Sequence, residues 1–461
     1  MRLNLLVAAL VLPGCVSVPA IDTSRVPEAP AQFKEARAAT TPSAAVQAGG
    51  EWWKAFNDPV LDDLVARADR NNTSIEAAAA RLRQARALAR ATDADRAPQL
   101  NAAAGVARLG GIVDNTSGPA RTFSSAGANL SYEVDLFGKL ARASEAARLD
   151  TRSREELLRA THLLVQAEVA QAYLGLRALD DERALVRGTV AAYRETLDLT
   201  ERRYRAGDVA ELDVARARTE VASTESEAYA LDLRRSQLEH ALAVLVGDAS
   251  SRFELPVGEW KTALPVIPPG VPSRVLERRP DVAAAESGML AAQQRVGVAK
   301  AAWFPDFALT ATGGYASTDL GDLLKWPARA WGVSALLATP IFDGGRRSAG
   351  IENANGQLDE ALARYREQVL VAFQDVEDQL SALRILADQA DAQARAVAAA
   401  SRSTSLSDAR YRNGLVSQLD LLDARRSELA NRRQALQVRS AQYQATVGLV
   451  RALGGGWEGT S

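Results

Sequence analysis

Strict alternation of apolar and polar residues occurs in few places along the chain. In FALTATGGY, Phe307, Leu309, Ala311 and Tyr315 fall on one face, and Ala308, Thr310, Thr312 and Gly314 on the other. In NLSYEVDLF, Leu130, Tyr132, Val134 and Leu136 oppose Asn129, Ser131, Glu133 and Asp135. A period of two sends successive side chains to opposite faces, so these stretches are predicted strands with one apolar and one polar face. Each region holds a pair of strands joined by a Gly/Ser/Asp-rich turn, GGIVDNTSGPAR or STDLGDLLKWPAR, four strands in all.

The remaining pattern is helical. Ala-rich segments at about 59–96 and 280–303 run into Pro98 and Pro305, because proline disfavours helix in the residue before it. After the strands come two proline-free tracts rich in Ala, Arg, Glu and Leu, about 138–205 and 345–412. At ~1.5 Å per residue each predicts a helix on the order of 100 Å long, more than a globular domain needs. Gly207 and Gly414 break these tracts, and a second helix of about 38 residues returns to LVG at 247 or LGG at 455, predicting antiparallel hairpins.

The order of patterns occurs twice. Tyr204 and Tyr411 are separated by 411 − 204 = 207 residues, and the same offset relates Gly207 to Gly414, Asp213 to Asp420, Gly138 to Gly345 and Pro98 to Pro305. One offset across three separate regions predicts duplication of a whole unit. The predicted organisation is a signal peptide at 1–14, a lipidated N-terminus and extended tether at 15–50, a first repeat at 51–247, a Pro-rich connector at 248–275, a second repeat at 276–455 and a tail at 456–461.

Composition narrows the function. Hydrophobic residues at 47% and charged residues at 24% predict a folded chain, and a net charge of −2 gives no support to a nucleic-acid binder. The apolar run Leu3–Leu12 after Arg2 is too short to span a bilayer and reads as an export signal. The single cysteine, Cys15, ends LPGC, which resembles a bacterial lipobox; lipidation there, with Val16 next, points to the outer membrane. The only histidines are His162 and His240, both within helical tracts, and no P-loop, dinucleotide fingerprint or metal-spaced His/Cys cluster is present, so neither an enzyme nor a cofactor is expected.

Four strands cannot close a membrane barrel, since the smallest single-chain barrels have eight, and open edges are not tolerated in hydrocarbon. Transmembrane strands therefore require several copies; the alternative is a small soluble sheet capped by helices. Trp303, Phe304, Trp326 and Trp331 flank the second strand pair as an aromatic girdle would, although Trp and Phe also serve ordinary cores.

The ordered motifs EWWKAFNDPVLDDLVARADRNN, RRPDVAAAE, VGVAKAAWFPDFALTATGG, TPIFDGGRR, RYRNGLVSQLDLLDARR and VRALGGGW resemble the TolC-like outer-membrane efflux proteins, within them the lipoprotein branch serving RND multidrug pumps. The resemblance covers about 51–457. It implies a mainly α fold with a small transmembrane β-barrel: a homotrimer with twelve strands, four per chain, continued by a long periplasmic α-helical barrel. It implies a passive exit duct driven by an inner-membrane pump through a periplasmic adaptor. A type I secretion channel shares the fold, and a lipid-anchored periplasmic scaffold without a pore is the alternative of another class.

The resemblance also implies site residues. Asp420 and Asp423, three positions apart and so on one helical face, correspond to aspartates ringing a periplasmic entrance; a solvated helix face is the competing reading. Leu419 and Leu422 are expected to constrict the pore or to pack in a core. Tyr204 and Tyr411 are expected to bond between hairpins at the tip, or to pack on its surface. Gly207, Gly414, Leu415, Val416 and Ser417 are expected at the adaptor contact, with helix capping alone accounting for the glycines.

Overall fold

The computed structural model describes residues 17–22, 24, 26–36, 51–109, 120–268 and 272–456. Cys15, the signal segment, much of the tether and the end of the tail lie outside them. The described chain is mainly helical with one small antiparallel sheet. The described residues divide into two compact units, those within 1–26, 80–156 and 284–367 forming one and those within 27–79, 157–283 and 368–461 the other.

Helix α1 (Pro59–Asn71) starts where the Asp58 side chain accepts from the Val60 and Leu61 N–H groups at 3.0 and 3.3 Å, with Pro59 at the first helical position where no donor is wasted. The single helix expected over about 59–96 is broken at Asn72. Its Oδ1 caps α2 (Thr73–Ala94) through Ser74 and Ile75, and its Nδ2 donates to the Leu245 carbonyl at 2.8 Å. Asn72 competes with the helix ladder by offering its own oxygen to the N–H groups two and three residues on.

Strand β1 (Gln99–Leu109) and strand β2 (Arg121–Val134) precede α3 (Lys139–Arg205), which α4 (Glu211–Leu245) follows. After α5 (Pro272–Arg278) and α6 (Pro280–Ala301), strands β3 (Asp306–Ser317) and β4 (Arg329–Ala338) precede α7 (Arg346–Arg412) and α8 (Gln418–Ala452). Helices α3 and α7 each have 67 residues, and α4 and α8 each have 35.

The sheet order is β1-β2-β3-β4, all antiparallel, with β1 and β4 at the edges. Its register aligns the alternation of all four strands. Leu100, Leu130, Ala311 and Val333 lie side by side, as do Ala102, Ala128, Gly313 and Trp331; Asn101, Asn129, Thr312 and Gly332 form a row on the opposite face. One face is thus apolar through the middle of all four strands, and the other is mostly small and polar, with Phe123 and Leu336 as exceptions. Strands of 10 to 14 residues are long enough to cross a hydrocarbon layer. Among the described residues no helix is long and apolar enough to do so.

In the second unit Trp52, Phe56, Tyr173, Leu174 and Val447 are buried in the main core. The stretch expected as a tether is held down in its described part. Phe33 is buried in that same core, and the Lys34 and Glu35 N–H groups donate to the Glu377 carboxylate at 2.7 and 2.9 Å. In the first unit, Ile21 and Val26 pack on a cluster of Met289, Val296, Leu358 and Leu362.

Candidate functional site

The two hairpin turns use the same physics at one end and different physics at the other. Gly207 and Gly414 hold positive φ angles of 80° and 69°, where a side chain would be strained. Gly207 and Asp208 N–H groups donate to the Tyr204 and Arg203 carbonyls, and Gly414 and Leu415 to those of Tyr411 and Arg410, all within 2.8–3.0 Å. Both helices end in this double bond, which satisfies carbonyls otherwise orphaned at a helix terminus.

The helices that begin after the turns differ. At α8, Ser417 Oγ accepts from the Asp420 N–H while Asp420 Oδ2 accepts from the Ser417 N–H, a reciprocal capping box. The equivalent position in α4 is Ala210, which has no oxygen to offer, and Asp213 lies 3.9 Å from Arg216. Asp423 is exposed and lies 3.4 Å from Arg426. The Asp420 carboxyl is held below its ordinary range, first by the Ser417 hydroxyl and then by the Ser417 N–H.

The structure separates the two leucines. Leu422 is 1% exposed and packs with Tyr193 and Val221, so it takes the core role; Leu419 is 42% exposed. Tyr411 is buried, its hydroxyl 3.4 Å from Thr200 Oγ1 on α3 and its ring under the Arg203 guanidinium, 4.8 Å from the centroid. Tyr204 is exposed, as are Leu415 and Ser417.

Residues that sequence reasoning passed over tie the second hairpin to the first. Arg426 pairs with Glu220, whose side chain is largely buried, and Arg433, seven residues on, bonds Glu182 at 2.8 Å and Glu227 at 2.9 Å. Arg425 donates to the Ala192 carbonyl at 3.0 Å and pairs with Asp408 at 2.9 Å. The heptad spacing of Arg426 and Arg433, matched by Glu220 and Glu227, was the available signal. Beside this ladder burial pushes the Tyr193 hydroxyl up to about 12.

At the sheet, Trp303 carries Arg347 over its ring at 4.3 Å, Phe304 stacks on Phe137 at 4.7 Å, and Trp326 carries Arg329 at 4.1 Å. Trp331 is exposed on the apolar face of β4. Trp303 and Phe304 precede β3 at one end of the β3–β4 pair, and Trp326 precedes β4 at the other. His162 lies 3.2 Å from Asp69, which also accepts from Gln166.

The sequence model described as outer membrane efflux protein matches residues 64–248 and again 271–455. The chain belongs to the outer membrane efflux protein family. As a member of it, the chain is an efflux component of the outer membrane. It is 34% identical over 468 residues to a pyoverdine export outer membrane protein, OpmQ, of Pseudomonas aeruginosa, covering 99% of this chain and 97% of that protein. It is 31% identical over 449 residues to a probable outer membrane lipoprotein, SilC, of Salmonella typhimurium, covering 97% of each. The solved outer-membrane channel OprN superposes with a TM-score of 0.89 at 30% identity, covering 96% of this chain and all of that one.

Proposed function

We propose that this outer membrane efflux protein works as a homotrimer: four strands per chain form one twelve-stranded barrel, and the long helices continue it as a periplasmic α-helical barrel. The observation that carries this reading is the four-stranded sheet with one continuous apolar face and two unpaired edges. Such edges expose a row of backbone donors and acceptors that hydrocarbon cannot satisfy, so the sheet must be closed by further copies. The recurring 207-residue offset supports two structural repeats per chain, 51–247 and 276–455, joined by the connector at 248–275.

In this reading the duct is passive. Energy comes from an inner-membrane RND pump, and a periplasmic adaptor links the pump to the hairpin turns, where Gly207, Gly414, Leu415, Val416 and Ser417 present the contact. Asp423, with Asp420, Leu419, Tyr204 and Tyr411 around it, lines the periplasmic gate. Trp303, Phe304, Trp326 and Trp331 sit at the membrane interfaces, and lipidation of Cys15 anchors the mature N-terminus. Solubilised in detergent, the protein should run at three chain masses and conduct in a planar bilayer; a non-conducting monomer would overturn the reading.

A further inference from the structure

Two arginines interrupt the apolar face of the sheet. On the face that carries Leu100, Leu130, Ala311 and Val333, every strand position is uncharged except Arg108 on β1 and Arg329 on β4. Both stand where β1 turns towards β2 and β3 towards β4, at the end of the sheet away from α2, α3, α6 and α7. Each is paired across the ladder with a hydroxyl side chain, Arg108 with Thr122 and Arg329 with Tyr315. Tyr315 and Arg329 lie 207 residues beyond Arg108 and Thr122, so both hairpins carry the same pair, with the arginine on opposite strands.

We propose that these two pairs bind phosphate groups of lipopolysaccharide in the outer leaflet. The inference rests on the membrane barrel proposed above, in which the helices are periplasmic and the hairpin ends reach the outer surface. A cation on a lipid-facing strand is costly unless it lies near the interface and finds an anion. Among the described residues neither arginine has a carboxylate partner. The carboxylates between β3 and β4 are already engaged: Asp319 accepts from the Gly321 N–H at 2.9 Å, and Asp322 pairs with Lys325. The Arg329 guanidinium lies over the Trp326 ring, 4.1 Å from its centroid. Stacking uses the flat face of the guanidinium and leaves its in-plane N–H donors for two phosphate oxygens at once.

The surface beside the pairs favours a lipid over free phosphate. Beyond Arg329 the same face of β4 continues through Trp331, Val333 and Leu337, which are 78%, 76% and 62% exposed. A headgroup held at the arginine lays its acyl chains along these side chains, and their burial adds to the affinity. Inorganic phosphate gains nothing from that surface. A zwitterionic headgroup brings its own cation towards the arginine, which opposes binding. A phosphorylated headgroup without a fixed cation matches both the charge and the apolar surface.

The test counts lipopolysaccharide retained per chain when the full-length protein is purified from outer membranes in mild detergent. Arg108→Gln combined with Arg329→Gln should lower retention by about fivefold, because two charge-assisted bonds are lost. Arg121→Gln, at the same end but paired with Leu109 on the opposite face, should leave it unchanged. Lysine at both 108 and 329 should fall between, since the charge remains and the two-pronged bond does not. A second measurement uses the native protein alone: after delipidation, diphosphorylated lipid A should raise the unfolding temperature more than dephosphorylated lipid A, phosphatidylglycerol or inorganic phosphate. Equal retention by the native protein and the double glutamine variant, or an equal rise with dephosphorylated lipid A, overturns the site. An equal rise with phosphatidylglycerol or inorganic phosphate overturns the choice of ligand. If the site fails while the protein still runs as a conducting trimer, the channel reading survives; a non-conducting native monomer overturns both.

Discussion

Ser417 and Asp420 hold each other at the start of α8: the serine hydroxyl accepts from the Asp420 N–H at 3.2 Å, and the aspartate accepts from the Ser417 N–H at 3.0 Å and from its hydroxyl at 2.6 Å. One carboxylate of the acidic pair is therefore occupied by its own helix. Both aspartates are exposed, but the carboxylate of Asp423, three residues on, takes no part in the cap and lies 3.4 Å from Arg426.

Ser417→Ala should weaken the first turn of α8 by about 1 kcal/mol, the usual cost of losing an N-cap oxygen. Amide exchange of residues 418–421 should speed up, with no change in α4. Ala210→Ser should do the reverse in α4, because Asp213 already stands where the box needs it. Since the folded-state Asp420 carboxyl lies below its unfolded value of about 3.9, its stabilisation is fully present above that pH and is lost as pH falls through the lowered folded value. Protection of this turn should stay level from neutral down to that range and drop below it, and Ser417→Ala should flatten the drop.

In a planar bilayer, Asp423→Asn should reduce cation selectivity and block by multivalent cations more than Asp420→Asn, and Asp213→Asn should do least. The effect should shrink with added salt, because the Debye length is roughly 10 Å at 0.1 M. Equal effects at 420 and 423 would show that the capping box does not remove Asp420 from the aperture.

The periodic parts of this fold were legible in the sequence. Alternation placed the two faces of β2 and β3, and the glycines at 207 and 414 marked both turns. What alternation within one strand could not convey was that four strands share one apolar face, which depends on register between residues as distant as Leu130 and Ala311. Asn72 was missed because its break depends on an asparagine that caps one helix while bonding a carbonyl 173 residues away. Leu419 and Leu422 looked alike in sequence; only the packing of Tyr193 and Val221 against one of them separates a core residue from an exposed one.

Asp180 is the most enclosed charge among the described residues of the second unit, its side chain 1% exposed, with Arg177, Arg183 and Arg235 at 3.3, 3.2 and 2.8 Å. Asp180→Asn leaves three guanidinium groups around a neutral amide and should cost about 3–5 kcal/mol, the range for breaking a buried pair. Thermal unfolding should shift down markedly in the purified protein. A shift no larger than that of the exposed Asp198→Asn would show that the three arginines are satisfied without the carboxylate.

Tyr411 joins the hairpins in two ways that substitution can separate. Its hydroxyl lies 3.4 Å from Thr200 Oγ1, a long contact, and the Thr200 hydroxyl already donates to the Thr196 carbonyl, leaving Tyr411 as the donor. Its ring is buried beneath Arg203. Tyr411→Phe should therefore cost at most about 1 kcal/mol, the net value of a neutral hydrogen bond, and leave conductance close to that of the native channel. Tyr411→Ala removes the ring and should cost about 3 kcal/mol through the cavity left behind, loosening the second hairpin from the first and raising open time in a bilayer. Arg203→Ala should have a smaller effect of about 0.5–1 kcal/mol, and none in the Tyr411→Ala background, since the cation then has no ring to cover. Native conductance in Tyr411→Ala would mean that this contact is structural and takes no part in holding the tip closed.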